Sequence, residues 1–168
     1  MNRLPQIVSV VALVALGYFG YRWYASSGDE ERIRAALEEL AATVSQSGGE
    51  GLAQMTRAAT LGSFFAPDVE VDLGAPYAPF RGRDTIMALA AKAAVPGEGF
   101  DVRFVDVEVD VAPGGTDATA RMTATLADRG GLLDRGLDAR ELEMAWRKVD
   151  GGWLIARVTG IETLQRPR

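Results

Sequence analysis

FDVRFVDVEVDV, residues 100–111, is the stretch whose reading decides the fold. Phe100, Val102 and Phe104 alternate with Asp101 and Arg103; Val105, Val107, Val109 and Val111 then alternate with Asp106, Glu108 and Asp110, so the apolar phase slips by one residue. Side chains of a strand point to opposite faces in turn, and one inserted residue lets both apolar runs keep the same face. The slip predicts a β-bulge at Phe104/Val105 that bends the strand. A bent central strand implies a curved sheet with a concave side.

Downstream, Ala118, Ala120, Met122, Ala124 and Leu126 alternate with Thr119, Arg121, Thr123 and Thr125 beyond a Pro113-Gly114-Gly115 turn. A glycine-rich loop from Asp128 to Asp138 leads to a strand carrying Leu142, Met144 and Trp146, and Asp150-Gly151-Gly152 turns it into Trp153–Thr163. The phase of this last strand is ambiguous, because Trp153 and Ile155 but also Leu154, Ala156 and Val158 are apolar. Residues 165–168 form a frayed tail.

Upstream, Ser27-x-x-Glu30 fits a capping box before Ile33, Ala36, Leu37, Leu40, Ala41 and Val44, a stripe at helical spacing that Gly48 and Gly49 end. A second helix has Leu52, Met55 and Ala59 on one face. Val69, Val71 and Leu73 alternate with Glu70 and Asp72 as a short strand, Gly74–Phe80 is a loop, and Asp84 opens a third helix with Ile86, Leu89, Ala90 and Ala93 inward. Helices, a lone strand, a helix and long antiparallel strands describe an α+β layer, a curved antiparallel sheet wrapped around about three helices.

Residues 1–26 stand apart. Pro5 to Tyr24 carries no charge before Arg22, and a largely apolar run of about 20 residues is long enough to span a hydrocarbon core as a helix. A secretory signal cleaved after Ser27 is the competing reading. Tyr18, Tyr21, Trp23 and Tyr24 crowd one end as an interfacial belt, which favours a retained single-pass anchor in the lipid bilayer. Arg3 and the terminal amine on one side, against Arg22 and then Asp29, Glu30 and Glu31 on the other, favour the domain, residues 27–164, outside the cytoplasm.

The 168 residues hold no cysteine and no histidine, so a thiolate site, a cysteine nucleophile and the commonest general base are all excluded. Arg3 and Arg22 are the only charges among residues 1–24, which leaves 16 basic against 23 acidic side chains beyond them, a net −7. Such a domain repels phosphate backbones, so no nucleic acid is expected as a partner.

Three runs carry a family resemblance: FFAPDVEVDLG at 64–74, FRGRDTIMALA at 80–90 and MAWRKVDGGWLIARV at 144–158. Together with the bent strand they resemble the nuclear transport factor 2-like superfamily, the SnoaL-like and ketosteroid isomerase-like domains with a cystatin-like cone. The resemblance implies that fold for roughly Asp29 to Leu164, but the superfamily mixes isomerases, cyclases, dehydratases and hydrolases with domains that perform no chemistry.

In the ketosteroid isomerase-like members a catalytic aspartate stands near Asp72, but the alternation turns Asp72 away from the concave side, Leu73 falls at the enzyme position, and 29–45 lacks the expected tyrosine. Asp72 is therefore only a weak catalytic candidate. Asp101, Arg103, Asp106, Glu108, Asp110, Arg121, Glu141, Glu143 and Arg147 share the outer phase as a solvated charge lattice, with no metal site and no cofactor expected. Phe65, Tyr77, Phe104, Met122, Met144 and Trp146, with Arg157 as a polar contributor, are expected to line a pocket for a hydrophobic small molecule or to fill a core.

Two function classes follow. One is a membrane-tethered, non-catalytic accessory or scaffold domain with a protein partner in the envelope, similar to single-span components of bacterial secretion and lipid-import machines that carry the same cone. The other is an enzyme of isomerase, cyclase, dehydratase or hydrolase type acting on a small hydrophobic molecule. The anchor reading predicts that protein extracted from membranes has the intact mass of the full chain; a mature N-terminus at Gly28 would identify a cleaved signal instead.

Overall fold

The computed structural model describes residues 28–45, 51–92, 100–128 and 137–161. The expected anchor, the Ser27 end of the capping box and the tail 165–168 lie outside them. Among the described residues, no helix is long and apolar enough to cross a membrane.

Helix α1 spans 28–45, α2 Leu52–Ser63 and α3 Arg83–Lys92. The strands are β1 Phe65–Asp72, β2 Phe80–Arg81, β3 Phe100–Val111, β4 Asp117–Asp128, β5 Leu137–Val149 and β6 Gly152–Ile161. They form one sheet in the order β2-β1-β6-β5-β4-β3. The sheet is mixed rather than antiparallel throughout, because β1 runs parallel to β6. Hairpins fix the direction of β6 through β3, β4 and β5, whereas the helical pair delivers β1 independently, so no hairpin rule links the two.

The bent strand lies at the sheet edge, not at its centre, and its bulge lies later than the alternation indicates. Val105 pairs with Thr123 and Glu108 with Arg121, so Asp106 and Val107 together oppose Met122. Asp106 is the inserted residue, with φ 53°, and Val105 faces outward, 41% exposed. Aspartate tolerates this left-handed conformation better than a β-branched valine does, which explains where the slip settles. A second bulge resolves the ambiguous phase of the last strand: Ala145 pairs with Arg157 but Trp146 with Ile155, so Ala156 is extra. Trp153, Ile155 and Val158 are accordingly all buried.

The core joins Ile33, Leu37 and Leu40 of α1 to Met122, Met144, Trp146, Ile155 and Val69 of the sheet. Helix α2 contradicts its expected face. Leu52 and Met55 are 79% and 69% exposed, and Ala58 and Gly62 are buried instead. A Cβ at Gly62 would meet Met87 Sδ at 2.6 Å, so α2 presses on α3 through small residues, which turns its large ones outward. Leu89, expected inward on α3, is likewise 47% exposed.

Both long hairpins turn at one end of the sheet, where Asp29 of α1 is buried. Lys148 Nζ donates to its two oxygens at 3.0 and 2.9 Å and Trp153 Nε1 to Oδ1 at 3.1 Å. Burial alone would raise the pKa of Asp29; the hydrogen bonds from Lys148 and Trp153 and the charges of Lys148 and Arg32 outweigh it and hold the carboxyl below its ordinary 3.8. From there α1 runs along the edge of β3. Arg34 Nη1 donates to Val107 O at 2.7 Å, and Ser45 Oγ takes both backbone groups of Val102, donating at 3.3 Å and accepting at 2.8 Å. The open edge is thus covered at two points.

Two outcomes follow. Asp106→Gly should leave stability unchanged or improve it, while Asp106→Val should cost about 1–2 kcal/mol, measured by urea unfolding. Asp29→Asn should cost about 2–3 kcal/mol, less than a fully buried pair because Lys148 is a quarter exposed. Since the folded pKa is depressed, the stabilisation from Asp29 is complete above 3.8 and is lost as the pH falls through the lowered value. The variant should therefore show a shallower acid limb in a pH series of melting temperatures; an unchanged limb would remove Asp29 from that role.

Candidate functional site

The inner phase of β5 reads Arg140, Leu142, Met144, Trp146 and Lys148. Leu142, Met144 and Trp146 are buried, so a cation flanks the core at each end: Lys148 at the hairpins and Arg140 at the opposite, open end, the mouth. Arg140 pairs across with Ala124 of β4.

Its surroundings depend on one close approach. A Cβ at Gly160 would lie 2.5 Å from Leu73 O, so only glycine lets the end of β1 pass across β6 at this point. Leu73 O then accepts a hydrogen bond from Arg140 Nη1 at 2.5 Å, and the guanidinium lies 5.3 Å from the centroid of the Tyr77 ring. Behind them is a cavity of 180 Å³ with walls of Leu73, Val102, Ala124, Leu126 and Leu142. A second, larger groove of 460 Å³ lies between α1 and the edge of β3, floored by Leu37, Ala41 and Phe104, with Glu38, Asp101 and Arg103 on its rim.

The expected pocket residues are not brought together in one cavity. Phe65, Met122, Met144 and Trp146 are buried in the core, and Trp146, 1% exposed, has no acceptor for its Nε1 among the described residues. Tyr77, 56% exposed, lines the mouth, while Phe104 lines the groove beside α1. Arg157 differs from the expectation: the bulge at Ala156 turns it to the outer face, where it donates to Glu70 at 2.8 Å. Asp72 is exposed and accepts from its own turn, Gly74 N at 3.0 Å.

The outer charges pair in the manner of a solvated lattice: Arg121 with Glu143, Arg103 with Asp101 and Arg147 with Asp68, at 2.7–2.8 Å. Among the described residues no group of acids is placed to hold a metal ion. Arg140 and Asp29 are the two functional-looking groups that the sequence reading passes over. Extending the period of two backward from Leu142 finds Arg140, but the loop assigned to 128–138 hides the start of β5. Asp29 sits in a run of charges, DEER, that looks like an exposed helix start.

No curated protein matches the chain. Solved structures do. A protein from Novosphingobium aromaticivorans provisionally named a scytalone dehydratase is 17% identical, with 83% of this chain and 87% of that one covered and a TM-score of 0.65. A nuclear transport factor 2-like protein with a cystatin-like fold from the same organism is 18% identical, over 98% and 94%, at 0.61. A hexachlorocyclohexane dehydrochlorinase is 14% identical, over 84% and 89%, at 0.63. At these identities the likeness is one of fold. The family model described as the SnoaL-like domain matches residues 29–159, nearly all of the described chain, and the protein belongs to that family.

Proposed function

We propose that the chain is an accessory domain that accommodates a small hydrophobic ligand without transforming it, tethered to a membrane through residues 1–26 and held outside the cytoplasm. One observation carries the non-catalytic part. Among the described residues the buried polar side chains are Asp29 and Thr43, and Asp29 is neutralised by Lys148 at the closed hairpin end, remote from the mouth. Among the described residues no carboxylate lines the mouth cavity, and the whole chain has no histidine. Proton transfer needs a group whose pKa is brought toward the working pH and that reaches the substrate. An arginine and an exposed tyrosine beside leucines bind rather than move protons.

The tether is supported by the apolar, aromatic-flanked run at 5–24. A protein partner in the envelope is supported by Leu52, Met55 and Leu89, large apolar side chains exposed on α2 and α3, whose ends Gln54 links by a bond to Ala91 O.

The alternative, an enzyme acting on a small hydrophobic molecule, is tested directly. Full-length protein purified in detergent is incubated with scytalone and with hexachlorocyclohexane, the compounds named in the fold relatives. No conversion above the uncatalysed rate is expected, while native mass spectrometry should detect retained small molecules. Saturable turnover that survives Asp29→Asn but not a change at the mouth would establish an enzyme.

A further inference from the structure

Arg140 is held by two uncharged groups, the Leu73 carbonyl and the Tyr77 ring. Among the described residues no carboxylate pairs with it. Of the acids, Glu70 is engaged by Arg81 and Arg157, Asp101 by Arg103, Glu143 by Arg121, Asp68 by Arg147 and Asp29 by Lys148. A guanidinium presents five N–H donors in a planar fork, and the Leu73 bond uses Nη1, which leaves donors at the cavity. A half-buried cation without a counter-charge is costly unless an anion completes it.

We propose that the mouth cavity binds a small carboxylic acid, its carboxylate on the Arg140 fork and its apolar part against Leu126 and Leu142. The proposal rests on the reading of this domain as one that accommodates a ligand. A carboxylate matches the fork by two parallel hydrogen bonds, and the ring of Tyr77 lies against the guanidinium at 5.3 Å. Among the described residues one cation lines the cavity, and it balances one negative charge; a phosphate dianion would remain half uncompensated by it. The cavity, about 180 Å³, is of the size that takes a single ring or a short chain.

The test is calorimetric titration of the full-length protein in lipid nanodiscs with benzoate and hexanoate, and with the uncharged isosteres benzamide and hexanamide. At least one acid should bind saturably, about tenfold tighter than its amide. Arg140→Gln should reduce the acid to the affinity of the amide and leave the amide unchanged, and Tyr77→Leu should weaken the acid about threefold. Equal affinity of acid and amide, an equal loss of both in Arg140→Gln, or no saturable binding of either acid would overturn the proposal. Should Arg140→Gln fail to fold, the wild-type comparison of acid with amide and the Tyr77→Leu variant decide it. Turnover with intact acid selectivity would remove only the non-catalytic reading, whereas absence of both binding and turnover would remove only this one.

Discussion

A carboxylate taken out of water must find its partners nearby, and Asp29 finds them on the β5–β6 hairpin. That requirement sets the position of α1 along the sheet. With Asp29 fixed against Lys148 and Trp153, Ile33, Leu37 and Leu40 fall about one, two and three turns later onto Trp146 and its neighbours. Ser45 comes sixteen residues on, about 24 Å along the helix axis, where it meets the exposed backbone of Val102. One polar anchor at the start and one at the end hold an apolar stripe in register between them. Neither alone would do this, because apolar packing is non-directional and tolerates sliding.

The strand alternations were legible because one face is buried and the other is wet, the condition under which a period of two is enforced. The existence of a bulge in β3 was legible too, but not its residue. Apolar and charged residues alternate on both sides of the slip, where Phe104 and Val105 stand together, so composition alone attracts the insertion to Val105, whereas backbone conformation admits it at Asp106. Parallel pairing of β1 with β6 leaves no local trace at all, since it joins segments more than eighty residues apart.

Side-chain type misled where close approach mattered more than hydrophobicity. In α2 the close approach to α3 is at Gly62, Ala58 is buried on the same helix, and the larger Leu52 and Met55 are left outside. The candidate site was half legible for a related reason. Tyr77 and the apolar walls announce a cavity, but Arg140 belongs to a strand whose first residues look like loop, and the glycine that positions its partner, Gly160, is twenty residues further along the chain.

The close passage of Leu73 over Gly160 ties the rim of the cavity to the last strand of the domain. Residue 28 enters at the hairpin end and β6 leaves at Ile161, beside the mouth. The domain is therefore polar in the mechanical sense, with a handle at one pole and an aperture at the other, separated by the length of α1. A pull applied between residue 28 and Ile161 is transmitted through Asp29 on one side and along β6 on the other. Tension on the final strand would drag Gly160 from under Leu73 and shift the carbonyl that orients Arg140, so the aperture is the part of the fold most directly exposed to load on the C-terminal strand.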